Sequence, residues 1–163
     1  MALTDVKTRI VTLKKKDIFH DIDMLSLSFS RTSGGEETRK ADSIATDTST
    51  TNGTRAFTRL ADKRVSDIRQ TLAEFLNTAT QAALNNTLDP SDYVISFSVT
   101  TEMDDKVLES AVALMHDYVV KGSLADWYVE IGAGPAAALL PMATEDLARI
   151  RELFYHRPIP EMI

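Results

Sequence analysis

The sequence predicts a mainly α fold: a four-helix bundle-like domain with a small β element and a long polar arm. Three observations support this prediction. Apolar residues recur at helical spacing in four stretches, two short stretches are typical of strands, and a polar run separates the first two helices. The chain has 163 residues, of which 44% are hydrophobic, so it can fill one core but hardly two. We therefore expect a single domain over residues 1–163.

The first strand is predicted at about residues 7–12, which are rich in β-branched side chains. A helix should follow Thr12 as its N-cap, because apolar residues then recur at i, i+4, i+7 and i+11. These residues are Ile18, Ile22, Leu25 and Phe29. Residues 25–30 also alternate with period two, as a half-buried strand would, but the helical stripe continues through them and favours a helix.

Residues 30–54 are predicted to form a flexible arm. They consist largely of Ser, Thr, Gly, Asp and Glu, and Ile44 is their only large apolar residue. Such a composition buries too little apolar surface to offset the entropy lost on ordering the backbone. We expect a partner chain to order the arm.

The next helix is predicted over residues 55–86, with a broad apolar face. Four basic residues of this helix are expected to be available to solvent or partners: Arg59, Lys63, Arg64 and Arg69. A turn at Asp89 and Pro90 ends this region. A second strand follows at about 92–100, where polar and apolar residues alternate. It must pair with residues 7–12, with a neighbouring subunit, or with both.

Two helices complete the predicted bundle. The first begins at Asp104 with acidic residues in its first turn and keeps one apolar face as far as Tyr128. Gly132 and Gly134 provide its C-terminal cap, and Pro135 suits the first turn of the last helix. That helix should reach about Tyr155 and either contain Pro141 in its first turns or bend there.

The sequence nominates no catalytic, cofactor-binding or metal site. It has no Cys, which excludes thiolate catalysis, disulfides and Cys-based metal centres. His20, His116 and His156 lie on different elements and lack the spacing of metal ligands or of a catalytic relay. We expect no enzyme activity and no cofactor.

Charge and apolar exposure indicate the kind of partner. The net charge of −6 argues against a protein that coats nucleic acid or an anionic membrane. No run of residues is long and apolar enough to span a bilayer, and the first residues lack the apolar region of a secretory signal. The candidate subunit interface consists of two aromatic residues and an extended tail at 157–163, namely Trp127, Tyr128, Arg157, Pro158, Ile159, Pro160, Met162 and Ile163.

Five segments in a fixed order carry a resemblance to a known family. They are IVTLKKK at 10–16, DYVISFSVTT at 92–101, MDD at 103–105, HDYVVKGSLADWY at 116–128 and RELFYHRP at 151–158. In this order they resemble small structural proteins encoded by tailed phages and prophages of Bacteroides-type bacteria. The polar arm at 30–54 is not matched by this resemblance.

The resemblance implies a virion component of the neck, a head–tail connector or ring protein that assembles on the portal and joins capsid to tail. Its implied partners are further copies of the chain in a homo-oligomeric ring, the portal protein, and other neck or tail proteins. The protein would be made in the bacterial host cytoplasm and end in the virion. Contact with packaged DNA is compatible with this role, but it would not be made through a strong basic patch. The alternative is a phage-encoded regulatory or DNA-handling protein that uses the basic residues of the 55–86 helix.

Overall fold

The computed structural model describes residues 6–32, 51–77, 92–130, 132 and 134–155. These residues form two strands and four α-helices, in the order β1 (Val6–Lys14), α1 (Lys15–Thr32), α2 (Thr51–Thr71), β2 (Asp92–Thr100), α3 (Asp105–Glu130) and α4 (Ala136–Tyr155). A 3-10 turn, Ala73–Phe75, follows α2. The predicted mainly α fold with a small two-strand β element is confirmed.

Strands β1 and β2 pair antiparallel within the chain, from Val6 opposite Thr100 to Lys14 opposite Asp92. The first strand is longer than predicted, and Thr12 does not cap a helix. The two-residue alternation continues to Leu13, which is buried in the core opposite Tyr93. Because burying Leu13 stabilises the extended backbone, the helix begins only at Lys15.

Helix α3 lies at the centre of the fold and packs against α1, α2, α4 and β1. Its sequence predicted one apolar face, but its buried residues occupy more of its circumference than one face. They are Ala111, Met115, Tyr118, Val119, Val120, Gly122, Ser123, Leu124, Ala125 and Tyr128. A helix surrounded by other elements needs small or apolar residues on most of its sides.

The bundle has two distinct ends. At the sheet end, which holds β1 and β2, the last turn of α4 packs on β2, with the ring centroids of Phe97 and Phe154 5.0 Å apart. The opposite end holds the turn between α3 and α4, and we call it the hairpin end. There the last turn of α3 packs against α1 and α2. The Phe29 and Tyr128 rings lie 6.2 Å apart, and the Phe57 and Trp127 rings lie 5.1 Å apart.

That turn follows the sequence prediction. The amide of Gly132 donates to the carbonyl of Val129, and Gly132 has a φ of 68°, a left-handed conformation that favours glycine. The carbonyl of Pro135 accepts from the amide of Leu139 as α4 begins. Pro141 lies inside α4, in its second turn, and its side chain is exposed.

The predicted helix over 55–86 is wrong in its second half. Helix α2 ends at Thr71, and after the 3-10 turn Leu76 forms an antiparallel bridge with Phe97 of β2. The amide of Asn77 donates to the carbonyl of Ser96 over 2.9 Å. Pairing with β2 therefore overrides the helical propensity of residues 72–77, and residues 78–86 lie outside the described residues.

The predicted arm, residues 30–54, overlaps the helices on both sides. Residues 30–32 belong to α1 and residues 51–54 to α2, while residues 33–50 lie outside the described ranges. In the described part of the chain, no helix is both long enough and apolar enough to cross a membrane.

Tyr93 joins β2 to α2 through a buried hydroxyl, which donates a hydrogen bond to the carboxylate of Asp62. Burial, and next the hydrogen bond to Asp62, hold the pKa of Tyr93 well above its usual range. The phenol therefore keeps its proton in the folded protein at pH values where the unfolded chain loses it. Stability from this group is complete below the unfolded pKa of about 10 and falls as the pH rises above it.

We predict that Tyr93→Phe lowers the free energy of unfolding by about 1–2 kcal/mol at neutral pH, because the hydrogen bond to Asp62 is lost. The difference from the wild type should shrink as the pH rises from about 8 to about 11, since only the wild type has this phenol to ionise on unfolding. Urea unfolding at a series of pH values measures both effects. A difference that stays constant over this range would contradict the assignment.

Candidate subunit interface

The basic residues of α2 do not form a free cationic strip. Arg64 is mostly buried and donates two hydrogen bonds to the carboxylate of Asp126 on α3, from Nε over 2.9 Å and from Nη2 over 2.6 Å. Arg69 donates from Nη2 to the main-chain carbonyl of Val94 over 3.3 Å. The prediction that all four basic side chains are available to solvent or partners is therefore wrong for Arg64 and Arg69.

The two remaining basic residues are exposed but lie near acidic groups of α3. Arg59 pairs with Glu130 at 3.4 Å, and Nζ of Lys63 lies 4.0 Å from the carboxylate of Asp126. Exposed pairs of this kind contribute little to stability, although they offset the positive charge of the helix. The sequence could not show this, because the partners are more than 60 residues away along the chain.

The Arg64–Asp126 pair extends into a polar network through Tyr118. Nη1 of Arg64 donates to the Tyr118 hydroxyl over 3.0 Å, and this hydroxyl lies 3.0 Å from the carboxylate of Asp67, to which it donates. Burial raises the pKa of Tyr118. Burial lowers the pKa of Arg64, but the hydrogen bonds to Asp126 and Tyr118 raise it by more. The net effect is a raised pKa for Arg64. The network therefore holds Arg64 as a cation beside the side chain of Asp126.

Gly122 makes room for this network. A Cβ atom at Gly122 would lie 2.7 Å from both Cδ and Nε of Arg64, closer than real Cβ contacts allow. Helix α3 continues through Gly122, although glycine is unfavourable inside a helix. The structure gives its reason: the Arg64 side chain crosses α3 where no side chain projects.

Other polar groups of α3 also join helices. Nε2 of His116 lies 2.5 Å from the carboxylate of Asp21 on α1, and Nζ of Lys121 lies 2.9 Å from that of the buried Asp146 on α4. His20 is exposed, and His156 lies outside the described residues. Over the described ranges, no group of three or more His, Asp or Glu side chains has the geometry to hold a metal ion.

The two aromatic residues of the predicted interface differ in burial: Tyr128 lies in the core, whereas Trp127 is partly buried. Tyr128 is 2% exposed and packs edge-on against Phe29, so this burial does not fit an interface on the surface of the subunit. Trp127 is partly buried and stacks at an angle on Phe57. Its indole nitrogen is buried and has no hydrogen-bond partner among the described residues. An interface role for Trp127 stays a prediction.

Residues 157–163, the other part of the predicted interface, lie outside the described residues. The prediction for Arg157, Pro158, Ile159, Pro160, Met162 and Ile163 is therefore carried by their sequence alone.

Exposed apolar residues occur at both ends of the bundle. At the sheet end Val6 and Ile10 are 64% and 53% exposed, and we call them the sheet-end patch. At the hairpin end Val129, Leu140 and Met142 are exposed, and we call them the hairpin-end residues. Neither group was among the predicted interface residues. A signal was present for the second, because residues 131–144 carry no charge.

No family model matches the chain, and neither a curated protein nor a solved structure is similar enough to match it.

We predict that Gly122→Ala lowers the free energy of unfolding by about 1–3 kcal/mol, because the new methyl group displaces Arg64 and leaves Asp126 buried without its cation. Chemical denaturation measures the change.

The matched control is Ser123→Ala, at the next position of the same helix. The Ser123 hydroxyl is buried and has no hydrogen-bond partner in the described part of the chain, so its removal should change stability by no more than about 0.5 kcal/mol. Equal effects of the two substitutions would show that Gly122 does not serve the Arg64 network.

Proposed function

We propose that this protein is a structural subunit of a tailed-phage virion, a head–tail connector or neck-ring protein that assembles on the portal and joins capsid to tail. The resemblance of five ordered segments to such proteins supports the class. The observation that carries the proposal is the exposure of apolar side chains at both ends of one small bundle. A subunit with different adhesive surfaces at its two ends can make the heterologous contacts that close a ring.

The use of the polar groups also supports a structural role. Arg64, Asp126 and Tyr118 join α2 to α3, His116 joins α3 to α1, and Lys121 joins α3 to α4. Each of these groups holds one helix against another. A rigid subunit loses less entropy when it is built into a particle than a flexible one does.

The DNA-handling alternative depended on four basic side chains of α2. Two of them, Arg64 and Arg69, are bound to groups of the same chain. Contacts with phosphate would require those groups to give up their partners, at a cost in desolvation. The ring subunit is therefore the function we propose.

The decisive experiment is to locate the protein in phage particles by electron cryomicroscopy, with mass spectrometry of purified particles as a check on its presence. We expect several copies around the axis between portal and tail. Particles that lack the protein, or that carry it only in another layer, would refute the proposal.

We predict that the double variant Val129→Glu, Met142→Glu folds with an unchanged thermal midpoint but enters particles about tenfold less, because two exposed apolar side chains no longer contribute to contacts. The control is Ala148→Glu, which adds a charge at another exposed position of α4. Copy number per particle, measured by quantitative mass spectrometry, separates the two. Equal incorporation of both variants would mean that the hairpin-end residues make no contact in the neck.

A further inference from the structure

Strand β1 presents an outer edge that no described residue pairs with, since the sheet consists of β1 and β2 alone. The carbonyl of Ser96 accepts from Asn77 and that of Val94 from Arg69, so these groups of β2 point away from β1. In an antiparallel pair, opposed residues orient their backbone groups in the same sense, either towards each other or both away. Ile10 stands opposite Ser96. Its amide and carbonyl therefore point to the outer edge of β1.

The same alternation fixes the other residues of β1. Val6, Thr8 and Thr12 share the parity of Ile10, so their backbone groups also point to the outer edge. Their side chains lie on the sheet face that carries the exposed Val6 and Ile10. The outer edge of β1 thus offers hydrogen-bonding groups beside two exposed apolar side chains four residues apart. An edge of this kind is a template for another strand.

The tail of the chain has the complementary pattern. Residues 158–163 read Pro-Ile-Pro-Glu-Met-Ile, with both prolines at even positions. In an extended strand, Ile159, Glu161 and Ile163 direct their amides to one edge and the prolines face the other edge. Every amide on the first edge is therefore able to donate. The prolines on the second edge would prevent a further strand from adding.

The spacing of the apolar residues also matches. Ile159 and Ile163 are four residues apart, as are Val6 and Ile10. In an antiparallel pairing of Ile159 with Ile10 and Ile163 with Val6, hydrogen-bonded residues lie opposite each other with their side chains on the same face. The apolar side chains then meet in two cross-strand pairs, and Glu161 lies opposite Thr8.

The last turn of α4 contacts the side of the sheet away from this edge. The Tyr155 ring lies 5.0 Å from the Phe75 ring, and Leu76 borders β2 on the side opposite β1. A strand added to β1 lies three strand spacings from Leu76, about 14 Å. The tail of a second copy can approach the β1 edge directly, without first crossing the sheet of its own subunit.

We propose that residues 158–163 of one copy of the chain add as an antiparallel edge strand to β1 of a second copy, with Ile159 and Ile163 beside Ile10 and Val6. The contact is heterologous, since each copy gives its tail to one neighbour and its β1 edge to another. A six-residue strand is small for a stable dimer, so the contact is weak for a pair and strengthens when a closed ring forms.

This contact rests on the proposed ring function in one respect only: both require that copies of the chain associate with each other. Association that depends on the tail in a protein absent from the neck would refute the function and leave this contact standing. Normal entry into the neck by tail variants that cannot pair would refute the contact and leave the function standing.

The test compares two proline substitutions in the full-length protein. Glu161→Pro removes an amide that faces β1, whereas Met162→Pro removes one that faces away. Sedimentation velocity over a range of concentrations should show self-association about tenfold weaker for Glu161→Pro than for the wild type, and unchanged for Met162→Pro. Equal association of the two variants, or a wild type that stays monomeric up to its solubility limit, overturns the proposal.

A mixing experiment tests which surface receives the tail. Thr8→Pro blocks the outer edge but keeps the pairing of β1 with β2, because the Thr8 amide points outward; an unchanged thermal midpoint checks this. The Thr8→Pro and Glu161→Pro proteins should each associate weakly alone. Mixed, they should form a one-to-one complex that does not extend, since only one intact tail and one intact edge remain per pair. No complex on mixing, at concentrations where the wild-type protein already forms dimers, would overturn the assignment of β1 as the receiving strand.

Discussion

The burial of α3 on most of its sides is the constraint on which the rest of the structure depends. Where α3 packs against α1, α2 and α4, its inward-pointing charged and imidazole side chains meet a partner on a neighbouring element. Asp126 has Arg64, Lys121 has Asp146 and His116 has Asp21. Removing Arg64 would cost more than the Arg64–Asp126 pair contributes, because the Asp126 carboxylate would stay mostly buried.

This constraint also explains why Arg64, a basic residue of α2, is not available to bind phosphate. Charges that a helical wheel places on a solvent face are used to hold α2 against α3, and Gly122 is kept small so that Arg64 can cross. Exposed apolar side chains remain at the two ends of the bundle, in the sheet-end patch and in the hairpin-end residues. Such surfaces are suited to contacts with other protein chains.

The small sheet has a similar double role. Its inner face completes the core through Val11, Leu13, Ile95 and Phe97, and this fixes the register of β1 because a slip by one residue would expose them. The same alternation that buries these residues exposes Ile10 and orients its backbone groups outward. The edge that we propose as the receiving strand is thus a consequence of how the core is filled.

The sequence by itself determined the four helices and the two strands, since hydrophobic periodicity depends only on neighbours along the chain. It left open whether the second strand pairs with residues 7–12 or with a neighbouring subunit, and the fold decides this: β1 and β2 pair antiparallel within the chain. Only the tertiary structure decided where elements end: burial of Leu13 extends β1 past Thr12, and pairing of Leu76 with Phe97 ends the helical region that began at α2. It also decided that Arg64 turns inward and that Tyr128 lies in the core. Those outcomes depend on residues brought close by folding, and no local pattern records such contacts.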